Sequence, residues 1–489
     1  MSRTKSRRPG ASRPAQAAVR LSSHAPGQRI TAKYDAAQTT RHNESHWANA
    51  DALSANAANS PEVRAKIRNR ARYEVANNSY AAGMVRTLAD DTIGTGPTLQ
   101  IDAGPREVNF RVELAFWRWM VAAQFIEKLR TMRMARSVDG ESFGCFHTNP
   151  QVRSPVKLDV RVYEAEQVAA PMLRLEPSLT DGIILDDFGN VAGYSVLKAH
   201  PGGATLMSAI GESEVIPARD MMHLFLATRA GQNRGVSEIT PSLPLFAQLR
   251  HFTLAVIAAA DAAADVAGVI RSNSTAIDPA NVDPLDVFEL EKRMFMTMPH
   301  GWDITQLKAE QPATTYEMFK REILNEAARC IGMPYNVAAG NSSRYNYASG
   351  RLDHKTYFKL IRVDRSRLEL YALDPTFERW WEEARLIPGL LPDELRGLPE
   401  APEHGWRWDG DEHVDPKKEA DAQKVRLDSH TTTLAFEYGR QGLDWETQLR
   451  QRGRELDLIE ALNLNRFAPV GGAPPVEEEE EEEEVADAA

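Results

Sequence analysis

The chain has 489 residues, of which 42% are apolar, and its formal net charge is −11. The length allows roughly two to four domains with a substantial core, and the negative charge excludes a protein that binds nucleic acid through its overall charge. Cys145 and Cys330 are the two cysteines, and neither belongs to a CxxC pair. They exclude a disulfide scaffold and a cysteine-ligated metal site, as expected of a reducing compartment.

The two ends of the chain carry opposite charges. Residues 1–33, the basic arm, contain eight Lys or Arg residues and no acidic residue, whereas residues 477–484 are eight consecutive glutamates. Both ends contain few large apolar residues, so we predict disorder for the basic arm and for residues 466–489, the acidic tail. Such ends are either solvated chain or segments that bind charged partners, nucleic acid in the case of the basic arm.

The first predicted elements are helices. Within residues 51–91, Ser60 is the expected N-cap of a helix and Pro61 its first residue. The apolar stripe of this helix is Val63, Ile67, Ala71 and Val75. A second helical zone covers residues 108–134, with a predicted buried face of Phe116, Trp117, Trp119 and Met120. Between the two zones, a Gly-Thr-Gly-Pro turn leads into a short strand over residues 98–101.

Residues 140–226 have the pattern of β-strands. Residues 157–163 (KLDVRVY) alternate as a half-buried strand does. Residues 182–185 and 191–197 flank a turn-forming run, DDFGN, which predicts a hairpin. Within that run Asp186 and Asp187 could bind a metal, but the hairpin turn is the favoured explanation. We interpret this zone as the sheet of an α/β domain.

The following part is predicted to be mainly helical. A long helix covers residues 242–267, and its alanine-rich second half carries Asp261 and Asp265. The most apolar window, residues 255–270, is too short and too rich in alanine to span a bilayer, so we expect a soluble, cytosolic protein without membrane contact. Further helices are predicted over residues 315–331, from 347 to about 372, and over 416–464. A polar segment, residues 333–347, separates two of these helices and is an idle connector, an active-site lid or a surface that contacts a partner.

One cluster has the residue types of a hydrolytic site. Asp139, Glu141, Cys145 and His147 lie close in sequence, and the last two share one face of a predicted strand. A nucleophilic site also needs an orienting group and an oxyanion site, and the sequence identifies neither. The favoured interpretation is a turn followed by a strand with a buried cysteine. No GxxxxGK[ST], HExxH or GxSxG motif occurs, so we assign no catalytic residue, metal or cofactor.

Several stretches together resemble one family. They share their order with it and cover roughly residues 33–464: YDAAQTTRHNESHW from residue 34, RNRARYEVANN from 68, TIGTGP from 92, DGESF from 139, GNVAGY from 189, RGVS from 234, residues 331–349, VDPKKE from 414 and TTLAFEYGRQGLDWE from 432. The chain is similar to portal proteins of tailed bacteriophages, of the lambda type. The basic arm and the acidic tail lie outside the resemblance.

The resemblance implies a mainly helical α+β fold that assembles as a ring. By order along the chain, the family's parts fall as follows: a wing over 34–241, a first stem helix over 242–268, a clip over 269–312, a second stem helix over 313–332, a tunnel loop over 333–347, a wing return helix with a Trp-rich segment over 348–412, and a helical crown over 413–465.

The resemblance also implies a function without catalysis. A dodecameric ring of this chain would occupy one capsid vertex, where double-stranded DNA passes non-specifically through the channel during packaging and ejection. The implied partners are the terminase large subunit, the major capsid protein and head-completion or connector proteins, in the virion and, during assembly, in the host cytoplasm. The implied channel-facing residues are Asn336, Asn341, Ser342, Ser343, Arg344, Tyr345, Asn346, Asp261 and Asp265.

Sliding DNA requires a wall that neutralises few phosphates, because each such contact adds salt-dependent affinity. Asp261 and Asp265 would repel DNA, while amides and hydroxyls in the tunnel loop would offer weak contacts without sequence readout. Arg344 departs from this pattern, and it either contacts phosphate or pairs with Asp261 of a neighbour. Two alternatives to a portal stay open: a hydrolase that uses the cluster around Cys145, and another virion adaptor protein that binds DNA through the basic arm.

Overall fold

The computed structural model describes residues 35–170, 179–203, 212–264, 268–272, 302–306, 313–343, 346–410, 416–462 and 464. The chain divides into two units, Met1–Ser54 and Ala55–Ala489. In the described part of the first unit, a 3-10 helix spans Asp35–Ala37 and a series of turns follows it. The basic arm and the acidic tail lie outside the described residues.

The second unit is mainly helical. Its described residues form fourteen α-helices: α1 (Ala55–Ala58), α2 (Pro61–Asn77), α3 (Ser79–Ile93), α4 (Arg106–Ala122), α5 (Phe125–Asp139), α6 (Leu243–Ala264), α7 (Ala313–Arg329), α8 (Tyr335–Ala339), α9 (Tyr347–Leu368), α10 (Asp374–Ala384), α11 (Asp393–Arg396), α12 (Pro416–Asp428), α13 (Leu434–Arg440) and α14 (Trp445–Ala461). The last three confirm the predicted helices near the end of the chain.

The strands form small antiparallel sheets. The described residues contain eleven of them: β1 (Thr98–Ile101), β2 (Glu141–Thr148), β3 (Leu158–Tyr163), β4 (Leu179–Thr180), β5 (Ile183–Leu185), β6 (Val191–Leu197), β7 (Ser213–Pro217), β8 (Met221–Phe225), β9 (Gly268–Ser272), β10 (Trp302–Gln306) and β11 (His404–Arg407). One sheet has the order β3-β2-β8 and another β4-β5-β6-β7, while β1 pairs with β11 and β9 with β10. The predicted strand at residues 98–101 and the predicted hairpin, here β5 and β6, are confirmed, as is the mainly helical α+β class. The single sheet of an α/β domain predicted for residues 140–226 is wrong, because these strands form two separate antiparallel sheets.

Helix α2 begins where the sequence predicts but buries a different face. The Ser60 side chain accepts a hydrogen bond from the Val63 backbone N–H and caps the helix at Pro61. Val63 itself is 41% exposed, whereas Arg64 and Arg68 are buried. The predicted stripe is therefore wrong in part. The arginines are buried because carboxylates from distant parts of the chain neutralise them.

An aromatic core joins α4 to α10. Phe116 of α4 packs edge-to-face against Phe377 and Trp380, each with ring centroids 5.3 Å apart. Trp119 is fully buried, and its indole N–H donates to the Leu158 carbonyl at 2.9 Å. Trp117 is 48% exposed, so its predicted place in this core is wrong. It follows Phe116 by one residue, about 100° further around the helix.

The helix after the polar segment is longer than predicted. The buried positions of α9 include Tyr357, Ile361 and Leu368, which confirms its predicted apolar stripe. The helix does not end near residue 372, because a π-helical turn over Glu369–Leu373 joins it to α10. Pro375 lacks the backbone N–H that would donate a hydrogen bond in a regular α-helix. Single π-helical turns of this kind occur as local insertions within α-helices. The Trp-rich segment is thus partly helix α10.

Helices α6 and α7 form a pair that leads away from the core. The first half of α6 is anchored by Phe246 and Leu249, both buried, and the Phe252 ring lies 4.5 Å from that of Phe319 on α7. Further along, Leu254 and Ile257 are more than half exposed. Judged by length and composition alone, Thr240–Asp261 is the one stretch in the described residues that is long and apolar enough to cross a membrane, with 17% of it buried. A helix that packs on a neighbouring subunit meets the same criterion.

Candidate functional site

The polar segment between α7 and α9 is helical in its first part. After α7 ends, Gly332 turns the chain with φ of +67°, a left-handed conformation that glycine adopts without strain. Helix α8 follows, and Gly340 ends it in the same region with φ of +60°. Asn341, Ser342, Ser343 and Asn346 come next and are exposed. The accessible tip is therefore shorter than the predicted 333–347 loop.

Asn336, one of the predicted channel residues, is buried within the chain. It is 9% exposed, and its Nδ2 lies 2.8 Å from Nε2 of His354 on α9. Neighbouring Ala338 and Met333 are also buried, in the core that α8 forms with α3, α7 and α9. The side chain is buried because α8 packs as a helix, so Asn336 holds α8 against α9.

The exposed tip is built from short polar turns. The Asn341 side-chain oxygen accepts a hydrogen bond from the Ser343 N–H at 2.9 Å, which makes an Asx turn. Asn346 is the N-cap of α9, and its side-chain oxygen accepts from the Ser349 N–H at 2.8 Å. Arg344 and Tyr345 lie outside the described residues. The described tip residues are uncharged and can only offer weak hydrogen bonds to an anionic partner.

Asp261 lies in the last turn of α6. Asp261 is exposed on the helix surface, and Asp265 lies outside the described residues. The structure therefore leaves Asp261 accessible to a partner. It shows no contact between Asp261 and the tip after α8, among the residues described.

The cluster proposed for hydrolysis is a buried ion-pair network around Glu141. The Glu141 carboxylate is fully buried and accepts hydrogen bonds from Arg234 at 2.7–3.0 Å, from the Gly235 N–H at 3.0 Å and from Arg68 at 3.3 Å. Its Oε2 also lies 3.2 Å from the His223 ring. Burial alone would raise the pKa of Glu141, but Arg234 and His223 outweigh it and hold that pKa well below its usual range. This carboxylate is saturated with partners, and Asp139 is likewise paired with Arg72 at 2.7 Å.

Cys145 and His147 do not form an activated pair. Burial raises the pKa of the Cys145 thiol to about 11, and Asp220 and Glu214 add to the shift. A nucleophilic cysteine needs the opposite shift, because the thiolate is the reactive form. The His147 ring lies 4.0 Å from the Asp159 carboxylate and is partly exposed. This geometry supports the structural interpretation of the cluster.

Cys145→Ser is therefore expected to leave assembly and DNA content unchanged. The substitution keeps the size of a buried side chain in β2 and removes only a protonated thiol. DNA-filled particle yield, compared between the variant and the parent chain, is the measurement. A variant that assembles normally but loses a measurable hydrolytic activity would revive the hydrolase alternative.

One group of side chains has the composition of a metal site. Ligand atoms of Glu164, Glu166 and His200 all lie within 4.8 Å of one another. The Arg72 guanidinium is already 3.2 Å from Glu164 and 3.0 Å from Glu166. It occupies the position of the cation, so these residues fit an ion pair better than a metal. At the hairpin, Asp186 accepts from the backbone N–H of Phe188 and Asn190, so the turn accounts for it.

Comparison with known proteins decides the family. Residues 40–365 match the family described as "Phage portal protein, lambda family". The chain belongs to this family. The match runs from the turns before α1 to the last turn of α9, and it includes the α6–α7 pair and the polar tip.

Individual relatives are more distant from this portal-family chain. The "Probable portal protein" of Halomonas phage phiHAP-1 is 22% identical over an alignment of 303 residues, and the match covers 58% of this chain and 56% of that protein. The chain thus spans little more than half of that relative. Among solved structures, chains of a native gene transfer agent virion and of its neck have TM-scores of 0.45 and 0.44 at 13% and 12% identity, covering 78% of this chain and 94% of theirs.

A second buried network in the chain fixes α9 against α5. Asp364 of α9 accepts from Arg133 at 2.7 Å and from Arg136 at 2.6 Å, and both arginines also bind Glu238. The four side chains are at most 11% exposed. The network fixes the helix that begins at the polar tip. Sequence reading missed it because the arginines lie in α5 and their acidic partners are more than 100 residues away.

Glu238 gives this network a predictable pH dependence. Its burial raises the pKa, but Arg133 and Arg136 outweigh that effect and lower it from 4.5 to about 2. A lowered pKa stabilises the fold above pH 4.5, and the stabilisation is lost as pH falls towards 2. Relative to Glu238→Gln, the parent chain should lose about 1.4 kcal/mol per pH unit between these values. Urea unfolding at a series of pH values measures it.

Glu326→Gln is the matched control for this experiment, because Glu326 is exposed on α7 and has no ion pair among the described residues. The control should give the same pH curve as the parent chain. Parallel curves for Glu238→Gln and the parent chain would contradict the assignment of this acid dependence to Glu238.

Sequence reading also missed a row of cations on α9. Arg351, Lys355, Lys359 and Arg362 are exposed, and none has an ion pair among the described residues. The sequence signal was present, since the spacing i, i+4, i+8 and i+11 places them on one helix face. The prediction used only the apolar stripe on the opposite side. These four residues are named the basic row.

Proposed function

We propose that the chain is a subunit of the portal ring at one vertex of a phage capsid, through which double-stranded DNA is packaged and ejected. The observation that carries this proposal is the family match over residues 40–365. The saturated Glu141 network and the raised pKa of Cys145 favour a structural role over hydrolysis. We further propose that the ring is a dodecamer in the virion and acts without a cofactor.

The elements distribute over the parts of a portal as follows. Helices α6 and α7 are the stem helices, within 242–268 and 313–332, and the clip is 269–312, where β9 and β10 pair at its two ends. The wing is 34–241 together with 348–412, and the crown is α12–α14 within 413–465. We assign the tunnel loop to residues 341–346, the tip, and no longer to 333–347, because α8 and Asn336 are part of the core.

The chemistry of the tip suits a surface along which DNA slides. Asn341, Ser342 and Ser343 are exposed and uncharged, so they can bind phosphate weakly and release it without a large salt-dependent term. Asp261 on α6 adds a negative charge that keeps phosphates from binding the stem. Arg344 is the exception, and its partner is either a phosphate or Asp261 of a neighbouring subunit.

The proposed partners follow from the position of a portal between capsid and tail. The terminase large subunit would dock on the outer side of the ring during packaging, and head-completion or connector proteins would replace it. The major capsid protein would surround the ring. The proposed locations are the host cytoplasm during assembly and then the virion.

The mass and shape of the purified chain test this proposal. Native mass measurement should show a closed oligomer, and images down its axis should show a ring with a central channel. A chain that stays monomeric at every protein and salt concentration would contradict the portal assignment. Deleting residues 1–33 separates the adaptor alternative: a DNA-binding adaptor would lose its DNA, whereas a portal ring would still form.

A further inference from the structure

The basic row is a line of exposed cations without ion-pair partners among the described residues. Its four cations lie on α9, and the buried face of the same helix is fixed by Asp364 and Tyr357, which bind Arg133 and Asp91. The row is therefore held in place by the core and cannot turn away from solvent. Over eleven residues it is about 16 Å long, with neighbouring cations one helical turn apart. Like charges at this spacing repel each other, so an anionic ligand would stabilise the row.

The chain itself contains a ligand of matching charge. Residues 477–484 are eight consecutive glutamates, so they carry twice as many charges as the row. An extended segment of eight residues is about 26 Å long, and alternate side chains on one side lie about 7 Å apart. That spacing is close to the pitch of the row, about 6 Å between residues four apart on a helix. A run of this length can therefore place a carboxylate near each cation.

A connection of twelve residues joins the glutamate run to the described part of the chain. Leu464 is the last described residue, and residues 465–476, rich in Gly and Pro, separate it from the first glutamate. Twelve residues can reach about 40 Å. The glutamate run is thus held on the same chain as the row, and a flexible linker that spans two sites raises the effective concentration to about the millimolar range. At that concentration even a weak, salt-sensitive contact is substantially occupied.

We propose that residues 477–484 bind along the basic row of α9. The bound glutamates screen the four cations, so that α9 does not retain DNA phosphates beside a channel meant for sliding. This consequence rests on the proposed portal function, whereas the contact itself does not. The basic arm is the competing site for the same glutamates within this chain.

Carbodiimide cross-linking tests the contact directly, because it joins a carboxylate to a lysine amine only when the two touch. The full-length protein is treated at low salt, digested, and its cross-linked peptides are identified by mass spectrometry. Lys355 and Lys359 should carry about tenfold more links to residues 477–484 than Lys66, an exposed lysine on α2, and about 0.5 M salt should abolish the difference. Links concentrated on Lys5 and Lys33 of the basic arm, or spread evenly over exposed lysines, would overturn the proposal.

A matched pair of variants separates the row from general charge. Arg351→Gln with Arg362→Gln keeps both lysines for cross-linking but removes half of the positive charge of the row, so links to Lys355 and Lys359 should fall several-fold. Arg111→Gln with Arg118→Gln removes two exposed arginines from α4 and should leave the links unchanged. Equal yields in both variants would overturn the role of the row. All four side chains are exposed, so thermal melting should confirm that each variant folds.

A DNA-binding measurement tests the consequence separately. Replacing the eight glutamates with a Gly-Ser segment should raise the affinity for duplex DNA several-fold, and the gain should disappear when Lys355 and Lys359 are also changed to Gln. If the cross-links form but the affinity for DNA does not rise, the contact between the glutamates and the row is supported and its proposed effect on DNA binding is wrong. Failure to form rings, with the cross-links intact, would count against the portal proposal alone.

Discussion

Glu141→Gln is expected to destabilise the protein by about 3–5 kcal/mol, because it leaves buried guanidinium groups without their counter-charge. The carboxylate is fully buried and binds Arg234, Arg68 and His223 at once. Glutamine has the same shape but one fewer acceptor oxygen and no charge. The expected result is a urea midpoint far below that of the parent chain, measured at pH 7 by circular dichroism.

A surface ion pair supplies the control for this prediction. Lys198 and Glu212 lie 2.7 Å apart, but their side chains are 60% and 81% exposed. Solvent screens such a pair and side-chain entropy opposes it, so Glu212→Gln should leave the midpoint unchanged. An unchanged midpoint for Glu141→Gln as well would show that water reaches the network and that Glu141 does not hold β2 to Arg68 of α2 and to Arg234.

The Glu141 network also shows why local patterns predict only part of this fold. The N-cap at Ser60 and the start of α2 follow from neighbouring residues, and they were predicted correctly. The buried face of α2 was not, because burial of Arg64 and Arg68 depends on Asp181, Glu141 and Glu166, which are about 70 to 120 residues away. An arginine in a helical pattern indicates a solvent-exposed position unless a buried acidic partner is known. A single sequence does not identify that partner.

For the polar segment too, local sequence predicts only part of the structure. Composition predicted a small-residue polar segment between two helices, and the exposed Asn341–Ser343 turn agrees with it. Asn336 has the same composition but is buried, because Tyr335, Val337 and Ala338 beside it form one turn of helix that packs into the core. A run of five helical residues is too short for a periodicity signal. The boundary between core and tip therefore required tertiary structure.

If the tip is the tunnel loop of a portal ring, as proposed above, its removal should lower the yield of DNA-filled heads by about tenfold or more, because its weak polar contacts with DNA would be lost while the ring still forms. The structure shows which residues to replace. Deleting all of residues 333–347 would remove Met333 and Ala338, which are buried. A loss of DNA-filled heads could then result from misfolding as well as from loss of the tip. Replacing residues 341–345 (NSSRY) with Gly-Ser-Gly keeps Gly340, which ends α8, and Asn346, which caps α9.

Two further variants separate length from chemistry in this experiment. A same-length Gly-Ser-Gly-Ser-Gly replacement keeps the reach of the tip but removes its amides and the guanidinium of Arg344. A Gly-Ser-Gly-Arg-Gly replacement restores only that guanidinium. If Arg344 contacts phosphate, the third variant should retain packaged DNA better than the second, and the advantage should shrink in high salt. If Arg344 instead pairs with Asp261 of a neighbouring subunit, Asp261→Asn should remove the same advantage. Normal DNA-filled heads from the shortened variant would refute the assignment of residues 341–346 as the tunnel loop.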